Sequence, residues 1–437
     1  MDKERIDKKD HILDAAKPKV LIIGGGFGGL EVAKQLKKSN FDIIMVDKHN
    51  YHTFQPLLYQ VAIGVIEAES IGFPIRRIFS MHKNFKFYLA EVCEICTEEQ
   101  KVITIFGDIK YDYLVIATGS TTNFFGNKDI ERLVKPMKNI PEAFGIRNTI
   151  LKNLELISFT SDPAERKALM TFVVVGGGPT GVELAGALGE FRRLVLKKDY
   201  HDFDPEEMTI YLVEGKPIVL AAMSDVASAK AKTYLEDLKV EVINGVHVKS
   251  YDGIQLTIDN GMTVLTKNVF WAAGVKGDIP DGINPDQILK NGKIQTDEMN
   301  RVAGYANVFA IGDAAVIISP ATPEGHPGVA QVAIQQGKHL AENLKALSRG
   351  RQMQPFSYRD KGSLATIGRN RAVADIGKFR TQGFFAWLIW GIVHIMTLAG
   401  FLNRGIILLN WLSNYISRNS DNRIISGELG KDHSAGI

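Results

Sequence analysis

Two glycine clusters, at residues 24–29 and 176–181, restrict the possible folds of this chain more than any other feature. Each has the spacing Gly-x-Gly-x-x-Gly, follows a short apolar run and precedes a stretch with helical periodicity. An apolar strand, a glycine turn, a helix and a second apolar strand form a βαβ unit, which begins a parallel sheet. We therefore predict an α/β protein with two Rossmann-like dinucleotide-binding domains.

The first cluster contains Gly24, Gly26 and Gly29 and is followed by a helix predicted over residues 27–39. In this motif the first glycine allows a tight turn, the second lets the backbone approach a pyrophosphate, and the third lets helix and strand pack closely. N–H groups at the helix N-terminus bind the phosphates. Asp47 ends the next predicted strand, where a carboxylate accepts hydrogen bonds from ribose hydroxyls.

The second cluster repeats this arrangement at Gly176, Gly178 and Gly181, and Glu214 ends its second strand. A carboxylate at Glu214 would repel the 2′-phosphate of NADPH, so NADH is favoured. Two such sites in one chain predict one permanent flavin dinucleotide, which supplies the redox chemistry, and one exchanging nicotinamide dinucleotide.

Other parts of the chain give weaker signals. Residues 86–89 and 102–105 alternate in polarity and predict antiparallel strands. Residues 308–311 form a short apolar run that predicts another strand. Residues 327–347 predict a helix with a proline near its start.

Composition excludes several classes of protein. The formal net charge of +3 over 437 residues is too small to predict nucleic-acid binding. The polar N-terminus is not a secretory signal, and two cysteines predict no disulfide framework. Cys93 and Cys96 fall in or near a predicted strand, away from any helix N-terminus that would stabilise a thiolate, so we reject a redox dithiol. No grouping of side chains has metal-ligand spacing, and no metal is predicted.

The C-terminal region carries the membrane signal. Residues 381–403 contain no formally charged side chain. Tryptophans lie within and after this stretch, and basic residues lie on either side of it. A transmembrane helix is one interpretation, because about 20 apolar residues span a bilayer. We favour interfacial, monotopic helices over residues 383–417, since polar residues and Arg404 interrupt the apolar run. Pairing of these helices between protomers is a third possibility.

Five segments, taken together, carry a resemblance to a known family. Residues 113–120 and 307–314 look like the further flavin-contact segments of two-dinucleotide disulfide-reductase flavoproteins. Residues 47–62 closely resemble the type II, non-proton-pumping NADH:quinone oxidoreductases. Residues 330–335 are similar to the quinone-site motif of that family, Ala-Gln-x-Ala-x-Gln, and residues 361–369 to its next segment.

The resemblance implies an enzyme that transfers hydride from NADH to FAD and two electrons to a membrane quinone without pumping protons. It implies a peripheral homodimer on the cytoplasmic face of the inner membrane. It also implies an FAD-binding domain in two parts, 18–145 and 276–347, an NADH-binding domain at 146–275, and a membrane-docking region at 348–437.

The site residues that the resemblance implies fall into three groups. Those expected to bind FAD are Gly24, Gly26, Gly28, Gly29, Asp47, Lys48, Val92, Ala117, Thr118, Gly119, Gly312, Asp313, Ala330, Gln331 and Lys361. Those expected to bind NADH are Gly176, Gly178, Thr180, Gly181, Glu183, Glu214 and Gly274, with Glu183 also the expected catalytic residue. Those expected to contact quinone are Gln331, Gln335, Lys361 and Leu364.

Several of these residues have a structural interpretation as well. Glu183, predicted in the first turn of its helix, would be stabilised there by the helix dipole without any catalytic role. Gln331 and Gln335 share a helix face and could bond backbone instead of a quinone. Asp313 could cap a helix.

Two other functions remain open at this stage. One is another FAD-dependent NAD(P)H reductase of the same fold, such as a ferredoxin-type reductase, which would not need the apolar C-terminus. The other is a membrane-bound, NADH-responsive binding protein with little turnover.

Overall fold

The computed structural model describes residues 17–320, 322–398, 401–417 and 422–426, with the side chains of the last helix described over residues 404–412. The chain divides into two compact units. Unit 1 comprises the chain up to His52, Phe73–Thr121 and Val275–Asp360. Unit 2 comprises Thr53–Gly72, Thr122–Gly274 and the chain from Lys361.

The strands, in chain order, are β1 Lys19–Ile23, β2 Asp42–Asp47, β3 Tyr51–Thr53, β4 Gly72–Pro74, β5 Phe85–Leu89, β6 Val92–Cys96, β7 Lys101–Thr104, β8 Gly107–Lys110, β9 Tyr113–Ile116, β10 Ser120–Thr122, β11 Lys135–Pro136, β12 Thr171–Val175, β13 Thr209–Glu214, β14 Val240–Asn244, β15 Val248–Tyr251, β16 Gln255–Ile258, β17 Thr263–Leu265, β18 Asn268–Trp271, β19 Val275–Gly277, β20 Ile294–Thr296, β21 Val308–Ala310, β22 Ala315–Ile317, β23 Ser363–Thr366, β24 Ala372–Ile376 and β25 Phe379–Gly383.

The helices are α1 Phe27–Gln35, α2 Leu58–Ala62, α3 Ile75–Ile78, α4 Lys128–Leu133, α5 Ile140–Ile157, α6 Pro163–Met170, α7 Pro179–Phe191, α8 Lys197–Asp199, α9 Asp225–Asp237, α10 Ala330–Leu347, α11 Phe384–Thr397 and α12 Phe401–Ser417.

Unit 1 is built on a parallel sheet with the strand order β21-β9-β1-β2-β5. The central strand β1 is apolar on both faces, and its side chains from Val20 to Ile23 are buried, as expected for a parallel strand covered on both sides. On one face the core includes residues of α1 and α10. On the other face it includes residues of the antiparallel β6-β7-β8 meander and of the β20-β22 pair.

Unit 2 repeats the architecture with the order β11-β18-β12-β13-β14, again parallel throughout. The strand before the second glycine cluster, β12, is fully buried between β18 and β13. One face of this parallel sheet packs against residues of the antiparallel β15-β16-β17 sheet. Helix α7 packs against β12, β13 and β14. The two glycine clusters therefore lie at the carboxyl ends of equivalent inner strands.

The C-terminal part of unit 2 is a β23-β24-β25 antiparallel sheet followed by α11 and α12. Helix α11 packs on this sheet through buried Ala386 and Trp390. Its other side and much of the described part of α12 carry large apolar side chains in contact with solvent: Phe384, Phe385, Leu388, Ile392, Met396, Ile406, Leu408, Leu409 and Leu412. Among the described residues, no helix combines the length and the apolar character needed to span a membrane.

Several predicted elements agree with the structure, and three differ. The expected strands at residues 102–105 and 308–311 correspond to β7 and β21 within one residue at each end. The strand at residues 86–89, predicted to be antiparallel, is instead β5 and lies parallel to β2 at the sheet edge. The direction of β5 is determined by its pairing with β2, and the alternation of polar and apolar residues within β5 does not reveal that partner.

Two helix boundaries were also predicted incorrectly. Helix α1 ends at Gln35 instead of residue 39, because the Ser39 hydroxyl and N–H both donate to the Leu36 carbonyl and form a turn. Helix α10 begins at Ala330. Pro327 lies ahead of it, in a tight turn in which its carbonyl accepts the Val329 N–H.

Replacement of Gly181 by alanine is expected to destabilise unit 2. A Cβ at Gly181 would collide with the Gly176 carbonyl oxygen. Overpacking against backbone costs about 1–3 kcal/mol. We expect G181A to lower the melting temperature. The matched control is G145A, in the helical interior of α5, where a Cβ meets open space. G145A should stabilise by about 0.5–1 kcal/mol. Equal melting temperatures for the two variants would contradict the close packing.

Candidate functional site

The glycine turn after β1 is shaped by contacts that exclude any larger residue. Gly24 has φ +104°, and a Cβ there would collide with the Ala117 carbonyl at the end of β9. A Cβ at Gly29 would collide with the Gly24 carbonyl. By contrast, Gly26 is exposed, and a Cβ there would meet only open space. It precedes α1 without any side-chain cap, which leaves the helix N-terminus accessible to a phosphate.

Asp47 holds this turn through both carboxylate oxygens. The Gly25 N–H donates to Oδ2 at 2.6 Å and the His49 N–H donates to Oδ1 at 2.6 Å. Burial raises the pKa of Asp47, and the two backbone hydrogen bonds oppose that effect. The carboxylate therefore lies directly beside the turn, with lone pairs remaining for ribose hydroxyls.

The turn after β12 has the same construction. Gly176 has φ +110°, and a Cβ there would collide with the backbone of Ala272 at the end of β18. One Glu214 carboxylate oxygen, Oε2, accepts the Gly177 N–H, and Oε1 accepts the Lys216 N–H at 2.7 Å. Gly178 precedes α7 with no side-chain cap and with open space at its Cβ position. The two turns, hereafter the first and second cradle, both fit a dinucleotide pyrophosphate.

A buried histidine supports the first cradle. His52 Nδ1 donates to the Gly25 carbonyl at 2.9 Å, and its ring makes an edge contact with Phe27. Burial lowers the pKa of His52 to about 4, so the imidazole is neutral at physiological pH. Its role in the described structure is to fix the turn.

Two hydrogen bonds position the turn that follows β21. The Ser120 hydroxyl donates to Asp313 Oδ2 at 2.7 Å, and the Gly312 N–H donates to Gln336 Oε1 at 2.7 Å. Asp313 lies inside the short 3-10 helix Gly312–Ala314, whose N-cap is Ile311, so it is not the capping residue. Gln336 is 2% exposed and projects from the buried face of α10.

The amide of Gln335 bonds backbone on both sides. Its Nε2 donates to the Arg359 carbonyl at 2.9 Å, and its Oε1 accepts the Arg359 N–H at 3.0 Å. Asn343, eight residues further along α10, makes the same reciprocal pair with Gln354. These two side chains hold the segment 354–359 against α10. Gln331, one turn before Gln335, is half-buried.

Among the described carboxyl groups of unit 2, that of Glu183 has the most strongly shifted pKa. It lies in the second turn of α7, not the first, and is 7% exposed, so the helix-dipole interpretation does not account for it. Burial raises the pKa of Glu183 to about 8, against a weak opposing hydrogen bond from the Thr366 N–H to Oε1 at 3.4 Å. A carboxyl group with such a pKa near physiological pH can hold or release a proton during catalysis.

The remaining predicted residues take varied positions. In unit 1, Gly28 is buried against Ile311 and Ala333, Lys48 forms an exposed ion pair with Asp278, and Val92 begins β6. Thr118, Gly119 and Ala330 are half-buried. In unit 2, Thr180, Gly274 and Lys361 are exposed, and Leu364 is half-buried in β23.

Several residues that shape these sites were not predicted from the sequence. Ser120, Gln336 and Thr366 make the contacts described above. A further pair, Tyr59 and Gln60, is buried in α2. A signal for Gln336 was available, because it shares the helical face of Val332 and Leu340, both buried. The partners of Asp313 and Glu183 come from distant segments and left no local signal.

Comparison with known proteins gives a uniform result. A family model for pyridine nucleotide-disulphide oxidoreductases matches residues 18–337, and a model for the NDH2 C-terminal domain matches residues 361–419. The chain is 36% identical to the type II NADH:quinone oxidoreductase Ndh of Mycobacterium tuberculosis, over 91% of this chain and 88% of that protein. It is 28% identical to an Arabidopsis thaliana internal alternative NAD(P)H-ubiquinone oxidoreductase, over 97% and 89%.

A solved structure of similar fold is that of NDH2 from Plasmodium falciparum in complex with NADH. It has a TM-score of 0.86 and 22% sequence identity, and the match covers 94% of this chain and 100% of that one. At this level of identity the similarity shows the fold.

The raised pKa of Glu183 makes the stability of the protein depend on pH. Between its ordinary pKa of 4.5 and about 8, the folded state holds a proton that the unfolded state has released. Stability therefore falls as pH rises through this range. E183Q mimics the neutral acid, so its advantage over wild type should grow by up to about 1.4 kcal/mol per pH unit.

Melting temperatures of both proteins at pH 5, 6, 7 and 8, with excess FAD, would measure this trend. E236Q is the control, since Glu236 is a solvent-exposed carboxylate of α9 with 55% of its side chain accessible. Parallel curves for wild type and E183Q would show that the buried acid does not carry the shift.

Proposed function

Because this chain belongs to the pyridine nucleotide-disulphide oxidoreductases and, within them, to the type II NADH:quinone oxidoreductases, we propose that it oxidises NADH and reduces a membrane quinone through bound FAD, without pumping protons. The observation that carries the proposal is the repeated cradle. Each unit holds a glycine turn fixed by the carboxylate at the end of the next strand. One chain thus offers two dinucleotide sites.

The first cradle is proposed to hold FAD. The N-terminus of α1 takes the pyrophosphate and Asp47 the ribose hydroxyls. Asp313, steadied by Ser120, offers a carboxylate to the ribityl chain. Lys48, Val92, Ala117–Gly119, Ala330, Gln331 and Lys361 complete the proposed set. When bound, FAD supplies the acceptor for a hydride and passes the two electrons onward to quinone.

The second cradle is proposed to hold NADH. The N-terminus of α7, with Gly178 and Thr180, takes the pyrophosphate, and Glu214 the ribose hydroxyls. Gly274, three residues after the end of β18, belongs to the proposed set, and its φ of +72° favours glycine. Glu183 lies four residues beyond the start of α7 and is the proposed catalytic residue of this unit, where it holds a proton in its buried carboxyl group.

The quinone is proposed to contact Gln331, Lys361 and Leu364. Gln335 has both amide atoms engaged by Arg359, so its contribution is to position the segment that leads to Lys361. Short-range positioning of this kind is the main contribution a protein makes to hydride and electron transfer.

The apolar surface of α11 and α12 is proposed to lie in the headgroup region of a membrane, on the cytoplasmic face of the inner membrane. The large exposed apolar side chains of both helices support this proposal. Two copies are proposed to associate as a homodimer.

The central test is the flavin spectrum of the detergent-purified protein. NADH should bleach the oxidised flavin absorbance, and a short-chain quinone should restore it. In sealed vesicles the turnover should leave the internal pH unchanged, because no proton is pumped. A protein that carries no flavin, or whose reduced flavin is not re-oxidised by quinone, would refute the proposal.

Removal of the Glu214 charge should relax the preference for NADH. A carboxylate about 4 Å from a 2′-phosphate repels it by roughly 1–4 kcal/mol, which corresponds to a preference of about fivefold to several hundredfold. We expect E214Q to raise the NADPH/NADH ratio of kcat/KM about tenfold. D47N is the reciprocal control and should lower flavin content with no change in that ratio. A ratio that moves equally in both variants would contradict the assignment of the two cradles.

Charge on the apolar helices should release the protein from lipid. Leu388 is 45% exposed on α11 and Leu409 is 67% exposed on α12. Each leucine that leaves lipid costs about 1.5–3 kcal/mol. L388E/L409E should therefore bind phosphatidylcholine–phosphatidylglycerol vesicles at least tenfold more weakly in a flotation assay. L156E, at a leucine of α5 that is 46% exposed, is the control and should bind normally. If the double variant floats normally but changes in mass, the surface is a protomer interface.

A further inference from the structure

Helix α10 contacts two parts of the first binding site at consecutive residues. The Gln336 side-chain oxygen, Oε1, accepts the Gly312 N–H at 2.7 Å. At the next residue, a Cβ on Gly337 would lie 2.5 Å from the Gly28 carbonyl oxygen, so α10 packs directly against the first turn of α1. One helix therefore touches both the cradle proposed for the flavin pyrophosphate and the turn that carries Asp313.

The bond from Gly312 to Gln336 is buried and joins two closely packed elements. Gln336 is 2% exposed, and a polar group at such a depth is costly unless it is hydrogen-bonded. Gly312 opens a short 3-10 helix whose N-cap residue, Ile311, provides no side-chain cap. Gly312 has φ +69°, and a Cβ there would lie 3.2 Å from the Ala333 Cβ on α10. The amide of Gln336 thus fixes the first N–H of this turn.

The carboxylate of the same turn is held from a different element. The Ser120 hydroxyl, at the start of β10, donates to Asp313 Oδ2 at 2.7 Å. A Cβ on Gly328 would lie 3.2 Å from Asp313 Oδ1, so a larger residue at that position would crowd this oxygen. Gln336 therefore acts on the backbone of the turn, and Ser120 acts on its carboxylate.

We propose that Gln336 is a positioning residue for the flavin: its amide oxygen fixes the Gly312 N–H and thereby sets the place of Asp313 relative to the N-terminus of α1. This inference rests on the proposed function, because it takes the first cradle and Asp313 as two points at which FAD is held. The pyrophosphate and the ribityl chain belong to one molecule, so their protein partners must keep a defined separation. A helix that contacts both partners at consecutive residues maintains that separation.

A second buried amide of α10 provides the matched control. Asn343 lies seven residues after Gln336 on the same helical face and is 3% exposed. Its Nδ2 donates to the Gln354 carbonyl, and its Oδ1 accepts the Gln354 N–H, both at 2.9 Å. Removal of either amide costs a buried hydrogen bond in α10, but the bonds of Asn343 go to Gln354 instead of the turn at Gly312.

The measurement is the rate of FAD release from the detergent-purified holoenzyme, followed by the rise of free-flavin fluorescence after dilution. Q336M keeps the length of the side chain and removes the acceptor, so it should release FAD about tenfold faster than wild type. Q336E retains an acceptor oxygen in either protonation state and should return the rate to within about threefold of wild type. N343L should stay within about twofold, since it leaves the turn intact.

A double-variant cycle with S120A tests whether Gln336 acts through the turn. S120A removes the donor to Asp313. Because both contacts fix one turn, Q336M/S120A should release FAD at least about threefold more slowly than the product of the two single effects predicts. N343L/S120A should match the product of its single effects. Q336N keeps a buried amide but shortens it by one methylene, and it replaces Q336M in the cycle if Q336M does not fold.

The outcomes separate the proposed function from the role of Gln336. A wild-type protein that carries no flavin would refute the proposed function and this inference with it. If wild type carries FAD and Q336M releases it no faster than N343L, the positioning role alone is overturned. The same conclusion follows if Q336E releases FAD as fast as Q336M, or if the effects of Q336M and S120A simply multiply.

Discussion

The binding turns of this molecule depend on one short-range constraint: a glycine turn must be kept open while its backbone N–H groups stay oriented. In both units the carboxylate at the end of the neighbouring strand, Asp47 or Glu214, accepts one of those N–H groups with one oxygen. Its second oxygen accepts the backbone N–H of the residue two positions after the carboxylate residue itself. The turn is therefore organised by the protein itself. Preorganisation of this kind lowers the entropic cost of binding a long, flexible dinucleotide.

The carboxyl group of Glu183 lies in a different environment from those of Asp47 and Glu214. Asp47 and Glu214 each accept two backbone N–H groups. Glu183 receives one long hydrogen bond and is otherwise surrounded by buried side chains of α7 and its neighbours. Desolvation then dominates and keeps the acid neutral to higher pH. Asp47 and Glu214 thus anchor backbone turns, whereas Glu183 is a buried carboxyl group with a single long backbone donor.

Features determined by residues close together in the sequence were predictable, whereas features that depend on residues far apart in the sequence were not. The cradles were predictable because strand, glycine spacing and helix lie within 30 residues of one another. The direction of β5 was not, since it depends on pairing with β2. The contacts that orient polar side chains join positions far apart: Ser120 with Asp313, Thr366 with Glu183, and Trp411 with Gln60. A polar residue inside an apolar run, such as Gln60, predicts burial or function without naming its partner.

The contact between α12 and α2 bears on how such a protein can be simplified. Trp390, Leu398 and Ile407 are buried in unit 2, and Trp411 supplies a hydrogen bond to its interior. Deletion of the C-terminal helices to obtain a more soluble enzyme would expose the apolar surface of unit 2 on which these residues pack. It would also leave the Gln60 carbonyl without its donor, at a cost of about 1–3 kcal/mol if the amide stays buried. The apolar C-terminal helices therefore stabilise the interior of unit 2. An engineered soluble form would need other residues to cover the same surface and to donate to Gln60.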